Sequence, residues 1–217
     1  MARAFAHTIL LFLVSGVLSM IFGTVLVAMR VGPVPVLRGA AATYVALVRN
    51  TPLLVVLLFF RFAAPKIGIT FDVIDLNYAG VSLDNLFTAA IVSLTVYTSA
   101  FVCEALRAGV NAVPLGQAEA ARAIGLPFSG TMREVVLPQA FRASVPPIAS
   151  TMIALLKNTT VAGAFGVFEA FARMRFFTND DATQRLGIFF SFALIFVVLV
   201  ELLSFAFNRL ERRWRVA

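Results

Sequence analysis

The stretch TILLFLVSGVLSMIFGTVLVAM, Thr8 to Met29, runs for 22 residues without a charge and stops at Arg30. A helix crossing a bilayer needs about 20 predominantly apolar residues, so this segment has the length of one crossing. It is too long for the apolar core of a signal peptide, and no clear small-residue cleavage site follows it. It reads as a retained span. Across the chain, 60% of the 217 residues are apolar and 13% are charged. A soluble domain carries about 45–50% and about 25%. Disordered chains are apolar-poor and charge-rich, so disorder is excluded, and an ordinary soluble enzyme fits badly. The composition describes one all-α, polytopic membrane domain over residues 1–217, embedded in a lipid bilayer.

Four further spans are expected. Leu53–Phe60 is strongly apolar but short. Val36–Val48 suits an interfacial helix leading into a span of about Asn50–Gly68, with Pro52 at a helix start or kink. The third span covers about Leu86–Cys103, the fourth about Val145–Phe168 and the fifth about Leu186–Phe207. Five transmembrane helices put the termini on opposite sides. The positive-inside rule then favours an external N-terminus and a cytoplasmic C-terminus. On that orientation the inner segments hold eleven Lys or Arg against four acidic residues, and the outer segments hold six of each. The net charge of +7 then falls on the inner face, because Lys157 and Glu201 lie in spans and cancel. The outer connections Ala64–Asp84 and Glu169–Arg185 read as loops. The tail Arg209, Arg212, Arg213, Trp214 and Arg215 reads as an anchor on anionic lipid.

Several chemistries are closed. Cys103 is the only cysteine and His7 the only histidine, which removes an intrachain disulfide and the common zinc sites. No catalytic residue, metal site or nucleic-acid partner is expected. Lys66 and Lys157, the only lysines, follow Pro65 and Leu156. A phosphate loop needs Gly-Lys-Ser/Thr, so ATP, if used, is hydrolysed by another chain.

Between spans three and four lies a polar segment of about residues 111–142. Its Ala-rich part, Gln117–Ile124, suits a short helix, with Gly125 as its C-terminal cap and Pro127 beyond. Phe128–Leu137 suits a second helix that stops at Pro138. Here Glu119-Ala120-Ala121, Gly125, Val135 and Leu137-Pro138 carry the spacing by which the chain resembles the permease subunits of bacterial ABC importers, with Val135 where Ile is usual. Arg49-Asn50-Thr51-Pro52-Leu53-Leu54, Glu104-Ala105-Leu106-Arg107, Leu137-Pro138-Gln139-Ala140-Phe141-Arg142 and Leu155-Leu156-Lys157-Asn158-Thr159-Thr160 resemble motifs of the polar amino-acid branch. The likeness runs from about residue 8 to residue 205.

The resemblance implies one half of a transmembrane dimer, paired with a paralogue or a second copy. It implies two ATPase subunits that bind ATP and Mg2+, an external solute-binding protein, and a bacterial cytoplasmic membrane location. This chain would bind no cofactor. The ATPase would dock on a cytoplasmic coupling helix through Glu119, Ala120, Ala121, Arg122, Gly125, Leu137 and Pro138. Physically, Ala118, Ala120, Ala121 and Ala123 let a partner surface approach closely. Glu119 and Arg122 share a helix side, so an ordinary ion pair competes with the coupling role.

Ionisable groups inside a span are costly and are functional candidates. Lys157, Asn158, Thr159 and Thr160 cover one turn of the fourth span, and Thr98 lies in the third. Either they line a substrate path or they pack helices. Asn158 stands where the family often has Asp, and Lys157 adjoins it, which removes a bias towards cations. Glutamate or a related polar amino acid is therefore expected. The competing function is an ion-driven secondary transporter or channel, which would show paired half-repeats and broken helices.

Overall fold

The computed structural model describes residues 1–71, 76–78, 81–181 and 183–214. Asp72, Asp75, Gly80 and Arg215, placed by sequence in the outer loop and the tail, lie outside the described residues. Nearly all the described chain is helical. The exception is a two-stranded antiparallel ribbon, β1 (Leu76–Tyr78) with β2 (Val81–Leu83), inside the connection expected to be a loop.

Helix α1 spans Ala2–Val31, longer than the uncharged run that defines it. Pro35 begins α2 (Pro35–Asn50), in the first turn, where its missing N–H leaves no bond unmade. Thr51 and Pro52 are extended, and Pro52 caps α3 (Leu53–Leu58). The chain continues through a π turn, Phe59–Ala63, and a 3-10 turn, Ala64–Ile67. The bend between α2 and the Leu53–Ile67 segment is 103°, as an interfacial helix feeding a span requires. Arg61, counted by sequence with the outer charges, lies inside this helical segment.

Asp84 caps α4 (Asn85–Asn111) by accepting from the Phe87 N–H at 2.8 Å. Then come α5 (Leu115–Ala123) and the single turn α6 (Phe128–Gly130). A π turn, Thr131–Val136, runs directly into α7 (Leu137–Gly163). The expected stop at Pro138 is therefore not found. Pro138 occupies the first turn of α7, where a missing donor costs nothing. The helix at the position of the expected fourth span begins earlier than Val145 and ends at Gly163, not Phe168. The expected outer loop after it contains α8 (Ala170–Asp180). The last helix is α9 (Arg185–Trp214).

By length and apolarity, α1, α4 and α9 can each cross a membrane, and the bent α2–Ile67 unit makes a fourth. Helix α7 is as long as α4 but is not among them; it carries Gln139, Arg142, Lys157, Asn158 and three prolines.

The packing fixes the helix directions. His7 meets Phe87 with ring centroids 6.0 Å apart. Ser19 Oγ donates to the Thr95 carbonyl at 3.4 Å, and Arg30 pairs with Glu104. Contacts that rise together in number mean that α1 and α4 run parallel. A side chain on Gly23 would sit 2.5 Å from Val102, so this glycine permits the close crossing. Gly109, near the end of α4, faces Ala140 and Ser144, near the start of α7; those two helices are antiparallel. Phe192 of α9 stacks on Phe5, while Phe207 and Leu210 share an apolar groove with Phe141 and Met20. The two termini therefore lie at opposite ends of the bundle. Helix α9 is barely buried, with Leu194, Val197, Leu202 and Phe205 all outward, as suits a surface meeting lipid or another helix.

Candidate functional site

The segment 111–142 forms a compact projection at the end of the bundle that also holds Arg30 and Arg49. The Gly125 N–H donates to the Arg122 carbonyl at 2.9 Å and the Leu126 N–H to the Ala121 carbonyl at 3.1 Å. With Gly125 at φ +91°, this is a Schellman end, the cap that glycine makes without strain. Gln139 clamps the helix from α7, donating to Gln117 Oε1 and to the Val135 carbonyl.

The small residues do not share one outward face. Ala121 is buried and Ala118 half-buried, while Ala120 and Ala123 are exposed. The reason is that α5 lies against the π turn of residues 131–136, so one side of the Ala-rich face is spent on this chain. Glu119 and Arg122 are exposed and form no ion pair with each other among the described residues. Leu137 and Pro138 are also exposed. Sequence reasoning missed three apolar neighbours: Leu115 is 80% exposed, Ile124 81% and Phe128 62%. The signal was present, since all three are large apolar residues within a polar connection.

In α7, Lys157 is exposed and Asn158 and Thr160 are half-exposed, adjacent on one face. Thr159 and Thr98 are buried instead, in helix packing. The Thr159 hydroxyl donates to the Leu156 carbonyl at 2.8 Å, and Thr160 to Lys157 at 2.7 Å. In this conformation the structure brings together Lys157, Asn158 and Thr160 but turns Thr98 and Thr159 away from an open surface.

Two constellations emerge that the sequence only hinted at. The first centres on Glu104. The local pair with Arg107 is present at 3.5 Å. Arg30 from the end of α1 also donates to Glu104 Oε1, and Arg49 from the end of α2 lies 3.7 Å from Oε2. One carboxylate thus ties together three helices at the inner bend, and the Arg49 guanidinium rests over Phe101 at 5.7 Å.

The second lies beyond the end of α7. Glu169, counted by sequence as a solvated outer charge, is fully buried. Its Oε1 accepts from the Ala172 N–H at 2.7 Å, capping α8. Its Oε2 lies 3.3 Å from the Thr8 hydroxyl, which also accepts from the Ala170 N–H at 3.0 Å. A side chain on Gly163 would meet the Glu169 carboxyl carbon at 2.8 Å, so glycine leaves room for the cap. Burial pushes the Glu169 carboxyl up to about 7, against the lowering effect of its hydrogen bonds. Because the folded value lies above the ordinary one, this group's stability is fully present below about pH 4.5 and is lost as pH rises through about 7. A neutral carboxyl can donate to Thr8, whose own proton then serves the Ala4 carbonyl at 3.2 Å. Glu169→Gln keeps that pattern and cannot ionise. We expect thermal unfolding of the purified variant to be flat in pH across 6–9, and the variant to be more stable than the parent above pH 8 by up to about 3 kcal/mol. An unchanged pH slope would show that Glu169 stays ionised.

Residues 19–216 match the family described as "binding-protein-dependent transport system inner membrane component". The chain is 41% identical over 214 residues to the glutamate transport system permease protein GluC of Corynebacterium glutamicum, covering 98% of this chain and 93% of that protein. It is 35% identical over 211 residues to the probable glutamine ABC transporter permease protein GlnP of Bacillus subtilis, covering 96% and 91%. Among solved structures, a chain of an amino acid ABC transporter crystallised with histidines superposes with a TM-score of 0.84 at 26% identity, covering 97% of this chain and 92% of that one.

Proposed function

Because the chain belongs to the family of binding-protein-dependent transport system inner membrane components, we propose that it is one half of the membrane pathway of an amino-acid importer whose substrate is glutamate or a close polar relative. Five crossings are supplied by α1, the bent α2–Ile67 unit, α4, α7 and α9. The N-terminus faces outward, and α5 faces the cytoplasm, where the excess of arginine meets anionic lipid. A second permease subunit completes the pathway. Two ATPase subunits carry ATP and Mg2+ and dock on α5, and a solute-binding protein delivers the amino acid on the outside.

The observation that carries the reading is α5 itself. It is a capped and clamped helix whose Glu119 is exposed and has no ion-pair partner among the described residues, and Leu115, Ile124 and Phe128, in it or beside it, are exposed too. Exposed large apolar side chains beside exposed charged ones suit a protein partner. The glutamate reading is supported by the likeness to GluC and by Asn158 beside Lys157. Uptake of radiolabelled glutamate into cells carrying the full transporter should be inhibited by excess glutamate and aspartate far more than by arginine. Inhibition by arginine alone would reject an acidic substrate, and uptake that continues without ATP would reject the importer.

A further inference from the structure

We propose that Arg61 is a specificity-determining residue of this pathway and that its guanidinium receives the side-chain carboxylate of an acidic amino acid. The inference rests on the reading above that the chain forms half of an amino-acid path.

Arg61 sits at the centre of the π turn Phe59–Ala63, partway along the helical segment that follows α2. A π turn inside an α-helix is uncommon and often marks a functional position. The Arg61 Nε is buried and has no hydrogen-bond partner. No carboxylate is found paired with Arg61 among the described residues. The guanidinium carbon lies 5.0 Å from the centre of the Phe62 ring. That contact engages the flat face of the cation and leaves its N–H edge to be satisfied by something else. A cation with an unmet donor inside a span calls for an anion, and none of the described residues supplies one.

The surroundings make that anion a substrate group. Arg61 lies six residues before Ile67, the end of its helical segment, and Lys157 lies six residues before Gly163, the end of α7. At roughly 1.5 Å per residue, the two cations sit at comparable depths, about 9 Å from those ends. Both elements pack against α4. Neither Leu53–Ile67 nor Leu137–Gly163 contains an acidic residue, and the one acid of α4, Glu104, is held by three arginines near the opposite end of the bundle. Among the described residues of these three elements, this depth therefore carries two positive groups and no negative one. Such a field attracts a dicarboxylate and repels a cationic side chain. The forked donors of Arg61 suit a side-chain carboxylate bound by two parallel hydrogen bonds.

The test uses the permease purified together with its ATPase, without the solute-binding protein, so that selection by that protein does not enter. Binding of radiolabelled glutamate and glutamine is measured for the parent, Arg61→Gln and Arg61→Lys, with elution volume as the check on folding. Arg61→Gln should weaken glutamate at least tenfold and change glutamine less than twofold. Arg61→Lys should recover part of the glutamate affinity, since a single ammonium restores charge but not the fork. If Arg61→Gln is not recovered folded, Arg61→Lys decides, and it should weaken glutamate more than glutamine. Equal effects on both amino acids, or none, overturn the proposal and assign Arg61 to helix packing or to lipid phosphate. If the parent binds glutamate and the variants bind it equally well, only the role of Arg61 fails. A parent that binds neither amino acid removes the acidic-substrate reading as well.

Discussion

Glu104→Ala is expected to lower the unfolding temperature of the purified protein by roughly 5–10 °C, the equivalent of about 3 kcal/mol for a chain of this size. The size follows from what is left behind. Glu104 is 26% exposed and its nearest partner, Arg30, only 15%, so removing the carboxylate strands a largely buried guanidinium. Breaking a buried pair from one side costs about 3–5 kcal/mol, and partial exposure here points to the lower end. The three arginines should not be equal. Arg49 is 46% exposed and Arg107 41%, so each behaves as a surface partner worth about 1 kcal/mol or less. Arg30→Gln should therefore cost more than Arg49→Gln or Arg107→Gln. The double variant Glu104→Gln with Arg30→Gln should recover part of the single losses, because neither charge is then stranded. Strict additivity would show that the two residues do not act as a pair. The hub also holds the 103° bend in place, since Arg49 closes α2 just before the chain turns into the membrane.

The split between what the sequence made legible and what it hid follows the range of the forces involved. The Ala-rich stretch, Gly125 and Pro114 act within a few residues, and α5 appears within two residues of its expected start and one of its expected end. The helix before Pro52 and the bend that follows it were equally readable, because a proline and an amphipathic run are local signals. Pro138 misled because its effect depends on its place in a helix. A π turn delivers the chain to it in the first turn of α7, where proline is harmless. Glu104 showed only its i,i+3 partner, since Arg30 and Arg49 arrive from residues 74 and 55 positions away through the crossing of α1 and α4. Glu169 looked like any acid in a charged loop. Its burial depends on Thr8, 161 residues earlier, and on a missing side chain at Gly163. The substrate-path candidates divided for the same reason: four consecutive polar residues on a helix cannot all face one way, and packing against α4 decides which turn inward.

Glu119→Lys should abolish ATP-driven uptake, at least tenfold, while leaving the protein folded and in the membrane. The fold should tolerate it because, among the described residues, no hydrogen bond or ion pair is made by the Glu119 side chain. It is exposed, and α5 is held by its Schellman end, by buried Ala121 and by the Gln139–Gln117 bond. The proposed partner should not tolerate it. Reversing a charge at a docking surface replaces an attraction with a repulsion, and losing a hydrogen-bonded interfacial charge costs about 2–5 kcal/mol. A tenfold loss needs only about 1.4 kcal/mol. Uptake, ATPase activity and recovery of the ATPase with the permease should be measured on the same preparation. Two control variants separate charge from burial. Ile124→Ser removes an 81% exposed apolar contact and should also weaken recovery of the ATPase. Arg133→Gln, paired only with its neighbour Glu134 at 3.7 Å, should leave uptake near normal. Normal uptake by Glu119→Lys would remove Glu119 from the coupling surface, and a loss of Ile124→Ser recovery without any Glu119 effect would make docking an apolar contact alone.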